Sequence, residues 1–158
     1  MYFVYIIYIL YIKQIKKKLI KMKIKNIFII TGSLSFLLMV FPVFLASAVP
    51  SIFEFFAIDG FGEGILENKE ALAVFDTFIL VMSFIGAAIV LPIFAAVTIK
   101  DLEIQKKLSL IFGLMLLLVA MPDFIGIIVG IAHAPLEMMV INTLIILFLF
   151  YGWKKGKA

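Results

Sequence analysis

Apolar positions in this chain do not alternate with polar ones; they run on in long blocks. Four such blocks, at residues 27–49, 71–99, 108–132 and 136–153, are separated by shorter segments that hold most of the charge. About 20 apolar residues rising ~1.5 Å each cross a hydrocarbon core of ~30 Å, so each block reads as a membrane-spanning helix. Thr31, Ser33 and Ser35 fall inside the first block. There a hydroxyl can donate back to a backbone carbonyl of its own helix. Pro92 is expected to kink the second helix, and Pro122-Asp123 to interrupt the third. Tyr151 and Trp153 stand where an interfacial aromatic belt belongs. The short connections at 100–107 and 133–135 predict that the last three helices are antiparallel neighbours.

Residues 50–70 break the pattern. Asp59, Gly60, Gly62 and Gly64 make a turn-rich stretch, and Ile52, Phe53, Phe55 and Phe56 predict a piece lying on the membrane surface. Residues 1–26 are basic and partly apolar. Met1 to Ile12 is too short to span, while Ile15, Leu19 and Met22 share a helical face ringed by lysines, as in an interfacial basic helix. Two alternatives stand beside this. Translation could start at Met22, and with that start residues 22–48 could be a signal peptide cleaved after Ala46-Ser47-Ala48; a retained helix is the expectation.

Composition turns these blocks into a fold class. The chain has 158 residues, is 65% hydrophobic, and has a mean hydropathy of +1.24. A soluble chain of this size has too little interior to hide so much apolar surface. The expected fold is all-α, an integral membrane four-helix bundle over 27–153, with a basic tail at 154–158.

Charge then sets the orientation. Every basic residue is a lysine, and all but Lys69 fall in three clusters: 13–25, 100–107 and 154–157. Lysines in short flanking loops stay cytoplasmic, so both termini are expected inside and the acidic 50–70 loop outside. The expected location is the inner or plasma membrane, multi-pass. The expected partners are anionic lipid headgroups, at about 1 kcal/mol per juxtamembrane lysine, together with other membrane subunits. Nucleic acid is not expected, because the lysines are spread over span ends, arginine is missing and no binding motif is present. The lack of cysteine rules out disulfides and thiolate metal sites.

No phosphate-binding glycine loop, HExxH or GxSxG occurs, so no catalytic residue, metal site or cofactor is assigned. The candidate ligand or ion residues are Asp123, Asp76, His133, Glu137 and Asn142, all in the outward part of the bundle. A carboxylate in hydrocarbon costs ~2.5–3.5 kcal/mol on insertion scales, so it should face a partner, a cavity or water. The functional expectation is an outward-opening cation, proton or polar-ligand site. The structural alternative is that Asp123 starts a half-helix after Pro122, Asp76 snorkels, His133 lies in a turn and Glu137 starts a helix. Gly126 and Gly130 form a GxxxG read as helix packing, and secondarily as a dimer contact. The methionines lack a metal-binding spacing and read as packing residues.

The span layout, Phe41-Pro42, Met121-Pro122-Asp123 and Pro135-Leu136-Glu137 together resemble the small four-helix membrane proteins grouped as DoxX-like. That resemblance covers about residues 27–153 and implies the same four-helix fold. Some of those proteins are linked to quinone-dependent redox systems, but no motif here carries that chemistry over. The leading expectation is a non-enzymatic accessory or interaction protein of the membrane. The alternatives are a small cation- or proton-coupled transporter or channel, a subunit of a quinone-linked redox or lipid-modifying system, and a phage-type holin.

Overall fold

The computed structural model describes residues 22–130 and 136–158. The surface helix expected around Ile15 and Leu19, and the His133 turn, lie outside the described residues. The chain forms α1 (Ile24–Ala48), α2 (Pro50–Phe61), a 3-10 turn (Glu63–Glu67), α3 (Lys69–Ala95, prolonged by a 3-10 turn at Ala96–Thr98), α4 (Leu102–Val129) and α5 (Leu136–Lys155). Among the described residues no β-strand occurs. Helices α1, α3, α4 and α5 are each long and apolar enough to cross a membrane.

Capping sets where helices start. The Asn68 side chain accepts from the Ala71 N–H at 3.0 Å and opens α3. The Asp101 carboxylate accepts from the Glu103 and Ile104 N–H groups at 2.8 and 3.0 Å and opens α4 at Leu102, ahead of the apolar block. The connection expected over 100–107 therefore contracts, and Lys106 and Lys107 ride on the first turns of α4. The buried Gln105 amide closes the other side of the turn by donating to the Ile99 carbonyl at 2.9 Å.

The interruption expected at Pro122 does not occur: α4 runs through it to Val129, and Pro92 likewise sits inside the continuous α3. A proline removes one N–H, and in transmembrane-type helices that local loss is tolerated without ending the helix. Helix α1 is less regular. Phe36–Val40 form a π turn in which the Phe41 N–H donates to the Phe36 carbonyl, and Pro42 follows at once.

Helix α1 occupies the middle of the bundle. Its buried residues Ile24, Ile27, Phe28, Thr31, Gly32 and Ser35 recur at helical spacing, and it packs against both α3 and α5. Helices α4 and α5 make the most extensive pair, as their short connection predicted. Helices α3 and α4 do not pair along their lengths; they meet chiefly at the turn that Gln105 closes. The reason is steric. A Cβ on Gly32 would stand 3.0 Å from the Phe94 ring, and one on Gly86 would stand 3.2 Å from the Met39 carbonyl oxygen. These missing side chains let α1 lie directly against α3.

The main core joins Ile24, Ile27 and Phe28 of α1 with Ile93 of α3, Phe112 of α4 and Leu149 of α5; Phe28 and Phe112 meet edge to face at 6.1 Å. Within it, the Ser109 hydroxyl donates across helices to the Leu149 carbonyl at 2.7 Å. Thr31 donates to Ile27, as expected of a helical hydroxyl. Ser35 was expected to do the same, but its hydroxyl is buried and has no hydrogen-bond partner among the described residues.

A second core lies at the opposite end. There α2 is a helix packed on the bundle: Ile52, Phe53, Phe56 and Ala57 close on Phe75 of α3. Phe55 stays exposed. The Ile24 N–H donates to the Lys157 carbonyl at 2.9 Å, so the start of α1 and the end of α5 share one end.

Gly152 tests the close packing. A Cβ there would stand 2.6 Å from Ser109 Oγ, which is committed to Leu149. Gly152→Val is expected to destabilise the folded protein in detergent by about 1–3 kcal/mol. Gly60→Ala, where nothing lies within 4 Å, should leave the thermal midpoint unchanged or slightly raised.

Candidate functional site

Polar side chains are sparse inside this bundle, so those that face inward stand out. On α4, Leu116, Ala120 and Asp123 follow one another at helical spacing on one face. On α5, Met138, Asn142, Ile145, Ile146 and Leu149 do the same. Each helix thus carries one polar residue on its inward stripe, near the end where α4 finishes and α5 begins. The two stripes and the π turn of α1 enclose a cavity of about 220 Å³, walled by Leu38 and Met39 of α1, Leu116, Val119, Ala120 and Asp123 of α4, and Met138, Asn142, Ile145 and Ile146 of α5.

Asp123 and Asn142 are both half-buried there. Among the described residues neither side chain makes a hydrogen bond or an ion pair. The ion pair found there is Lys106–Glu103, 2.9 Å, at the other end of the bundle. A carboxylate beside an amide can hold a cation, a proton or a hydrogen-bond donor, and an apolar wall strengthens each such interaction by lowering the local dielectric. Because α4 is continuous through Pro122, Asp123 is not at a helix start, and free backbone amides of a restarted helix do not explain it.

The other candidates stand elsewhere. Asp76 is exposed on α3 and lines a separate open cleft of about 400 Å³ with Ala46, Ser47, Pro50 and Phe53. It does not share the cavity of Asp123. Glu137 is exposed in the first turn of α5, where the helix dipole favours a carboxylate. His133 lies outside the described residues. No grouping of three or more His, Cys, Asp or Glu that could hold a metal occurs among the described residues.

Gly130 ends α4 in the left-handed conformation, φ 75°, with its N–H turned back to the Gly126 and Ile127 carbonyls. Among the described residues nothing lies within 4 Å of where its Cβ would stand. Within this chain it is a helix cap rather than a packing notch. Among the described residues the glycines in close packing are Gly32, Gly86, Gly113, Gly152 and Gly156. Sequence reasoning also missed Leu38 and Met39. Phe41-Pro42 inside an apolar block was the available signal that α1 is irregular there.

Asp123 and Asn142 line one cavity, so Asp123→Asn and Asn142→Leu should be non-additive, with a coupling of about 0.5 kcal/mol or more in denaturant unfolding. Asp123→Asn combined with Asp76→Asn should add within about 0.5 kcal/mol.

No known protein family matches this chain, and no curated protein or solved structure matches it either.

Proposed function

We propose that this protein is a small multi-pass membrane protein that binds a cation or proton in the cavity between α1, α4 and α5, as part of a transporter or channel. The observation that carries this reading is the convergence of Asp123 and Asn142 on one otherwise apolar cavity. A carboxylate set in an apolar wall is expensive unless it meets a positive charge or is protonated, and such residues commonly mark ion or proton pathways. The accessory-subunit reading makes no use of that cavity, and the DoxX-like layout adds no residue to it.

Orientation follows from the ends of the bundle. Lys23, Lys25, Lys100, Lys154, Lys155 and Lys157 flank the helices at one end, and Glu54, Asp59, Glu63, Glu67 and Glu70 flank them at the other. The lysine end is read as cytoplasmic, with both termini there. The Asp123 cavity then opens in the outward half, where acidic residues favour cation approach.

Two experiments test this. The chain has no cysteine, so single-cysteine variants report topology without background. Gly64→Cys should react with an impermeant maleimide added outside intact cells, and Ala158→Cys only after lysis; the reverse pattern overturns the orientation. In proteoliposomes, cation- or pH-driven flux should appear with the native protein and vanish in Asp123→Asn while Asp76→Asn retains it. A native protein silent across alkali cations, divalent cations and protons would sink the proposal.

A further inference from the structure

The irregular backbone of α1 bears on the cation reading of the Asp123 cavity. In a regular helix the Leu37 carbonyl would accept from the Phe41 N–H, but that N–H is turned to Phe36 by the π turn. Its alternative donor in a π turn is residue 42, which is proline and has none. The Leu38 carbonyl loses the same proline as its ordinary i+4 donor and keeps only the longer i+5 reach of the Val43 N–H. A π turn running into Pro42 thus removes the regular i+4 donor from two successive carbonyls. Leu37 is exposed on the outside of the bundle, whereas Leu38 is on the cavity wall with Asp123 and Asn142.

A second observation marks the same stretch of α1. The buried Ser35 hydroxyl, one turn before Leu38, has no partner among the described residues. Native structures rarely leave such groups unpaired without a ligand, an ion or a water to explain them. Backbone carbonyls released by an interrupted membrane helix are a recurrent means of binding alkali cations near the middle of a bilayer.

Resting on the cation-site reading above, we propose that the cavity is an alkali-cation site. Its protein ligands are the Asp123 carboxylate, the Asn142 amide oxygen and the Leu38 main-chain carbonyl, with water completing the shell. Charge selects the ion. One carboxylate neutralises one monovalent cation, whereas a divalent ion would leave a net positive charge against an apolar wall. All three ligands are oxygens, which suit hard cations and not soft ones. Pro42 is a positioning residue here: it keeps the Leu38 carbonyl from being closed by a regular i+4 bond.

The test uses full-length protein in nanodiscs, with sodium titrated against N-methyl-glucamine at constant ionic strength. Sodium should raise the thermal midpoint saturably, and calcium should bind no better. Asp123→Asn should abolish the sodium effect. Pro42→Ala gives residue 42 an N–H for the Leu38 carbonyl. It should raise the sodium-free midpoint while weakening sodium binding on the order of tenfold, the scale of one hydrogen bond to a charged group.

A direct readout is available because Leu is followed by Met at only two places, Leu38–Met39 and Leu114–Met115. With 13C-carbonyl leucine and 15N methionine, the Leu38 carbonyl signal should shift with sodium and the Leu114 signal should not. If sodium binding depends on Asp123 while the Leu38 signal stays still and Pro42→Ala binds sodium as tightly as the native chain, the main-chain ligand is overturned and the cavity reading stands. If only protonation acts through Asp123, the alkali-cation site falls and the proton form of the proposed function survives. If neither cation nor pH acts through Asp123, both fall.

Discussion

Close approach of backbones is the constraint from which the rest of this bundle follows. Helix α1 touches both of its main neighbours across glycine: its own Gly32 meets Phe94 of α3, Gly86 of α3 meets the Met39 carbonyl, and Gly152 of α5 meets Ile27. Between apolar helices surrounded by lipid there is little hydrophobic gain from association, so such contacts and a few hydrogen bonds hold the helices together. Because α1 is held centrally by these contacts, its π turn forms one wall of the space into which α4 and α5 present Asp123 and Asn142. A side chain on Gly86 would push against the turn itself.

Most polar side chains of the helices find a partner within the protein. Toward the lysine end they are satisfied by short protein contacts: Asp101 caps α4, Gln105 closes the turn after α3, and Ser109 ties α4 to α5. Nearer the acidic end Asn68, Thr77, Ser83 and Thr143 are satisfied as well, whereas Ser35, Asp123 and Asn142 lack protein partners among the described residues. Folding free energy alone does not favour this distribution, since an unpaired buried polar group is destabilising. The groups held in reserve gather at the π turn of α1 and the cavity beside it.

Helix number and approximate spans were legible in the sequence because they depend on local composition. Asp123 and Asn142 stood out for the same reason: polarity is rare in these blocks. Which helices oppose one another was not legible. The GxxxG at Gly126 and Gly130 drew notice, and Gly130 caps α4, whereas a second GxxxG, Gly152 and Gly156, lies against Ile27 and Ile24 of α1 and was passed over because it falls at the polar end of the last block. Close packing depends on which faces meet, and that is a property of the assembled bundle. The separation of Asp76 from Asp123 was hidden for the same reason, because it follows from α1 standing between α3 and α5.

The central position of α1 also has a consequence in time. Helices α4 and α5 can pair as soon as both are made, since they adjoin in sequence. The contacts of α1 with α5 join residues far apart in sequence, and the bond from Ile24 to Lys157 can close only after residue 157 has been made. At ~5–20 residues per second, α1 waits on the order of ten seconds for that partner. Meanwhile its Thr31, Gly32 and Ser35 stripe can meet α3 or lipid, but not α5. Of the four long helices described, α1 is therefore made first and fully enclosed last, and the cavity at its π turn is completed only when α5 arrives.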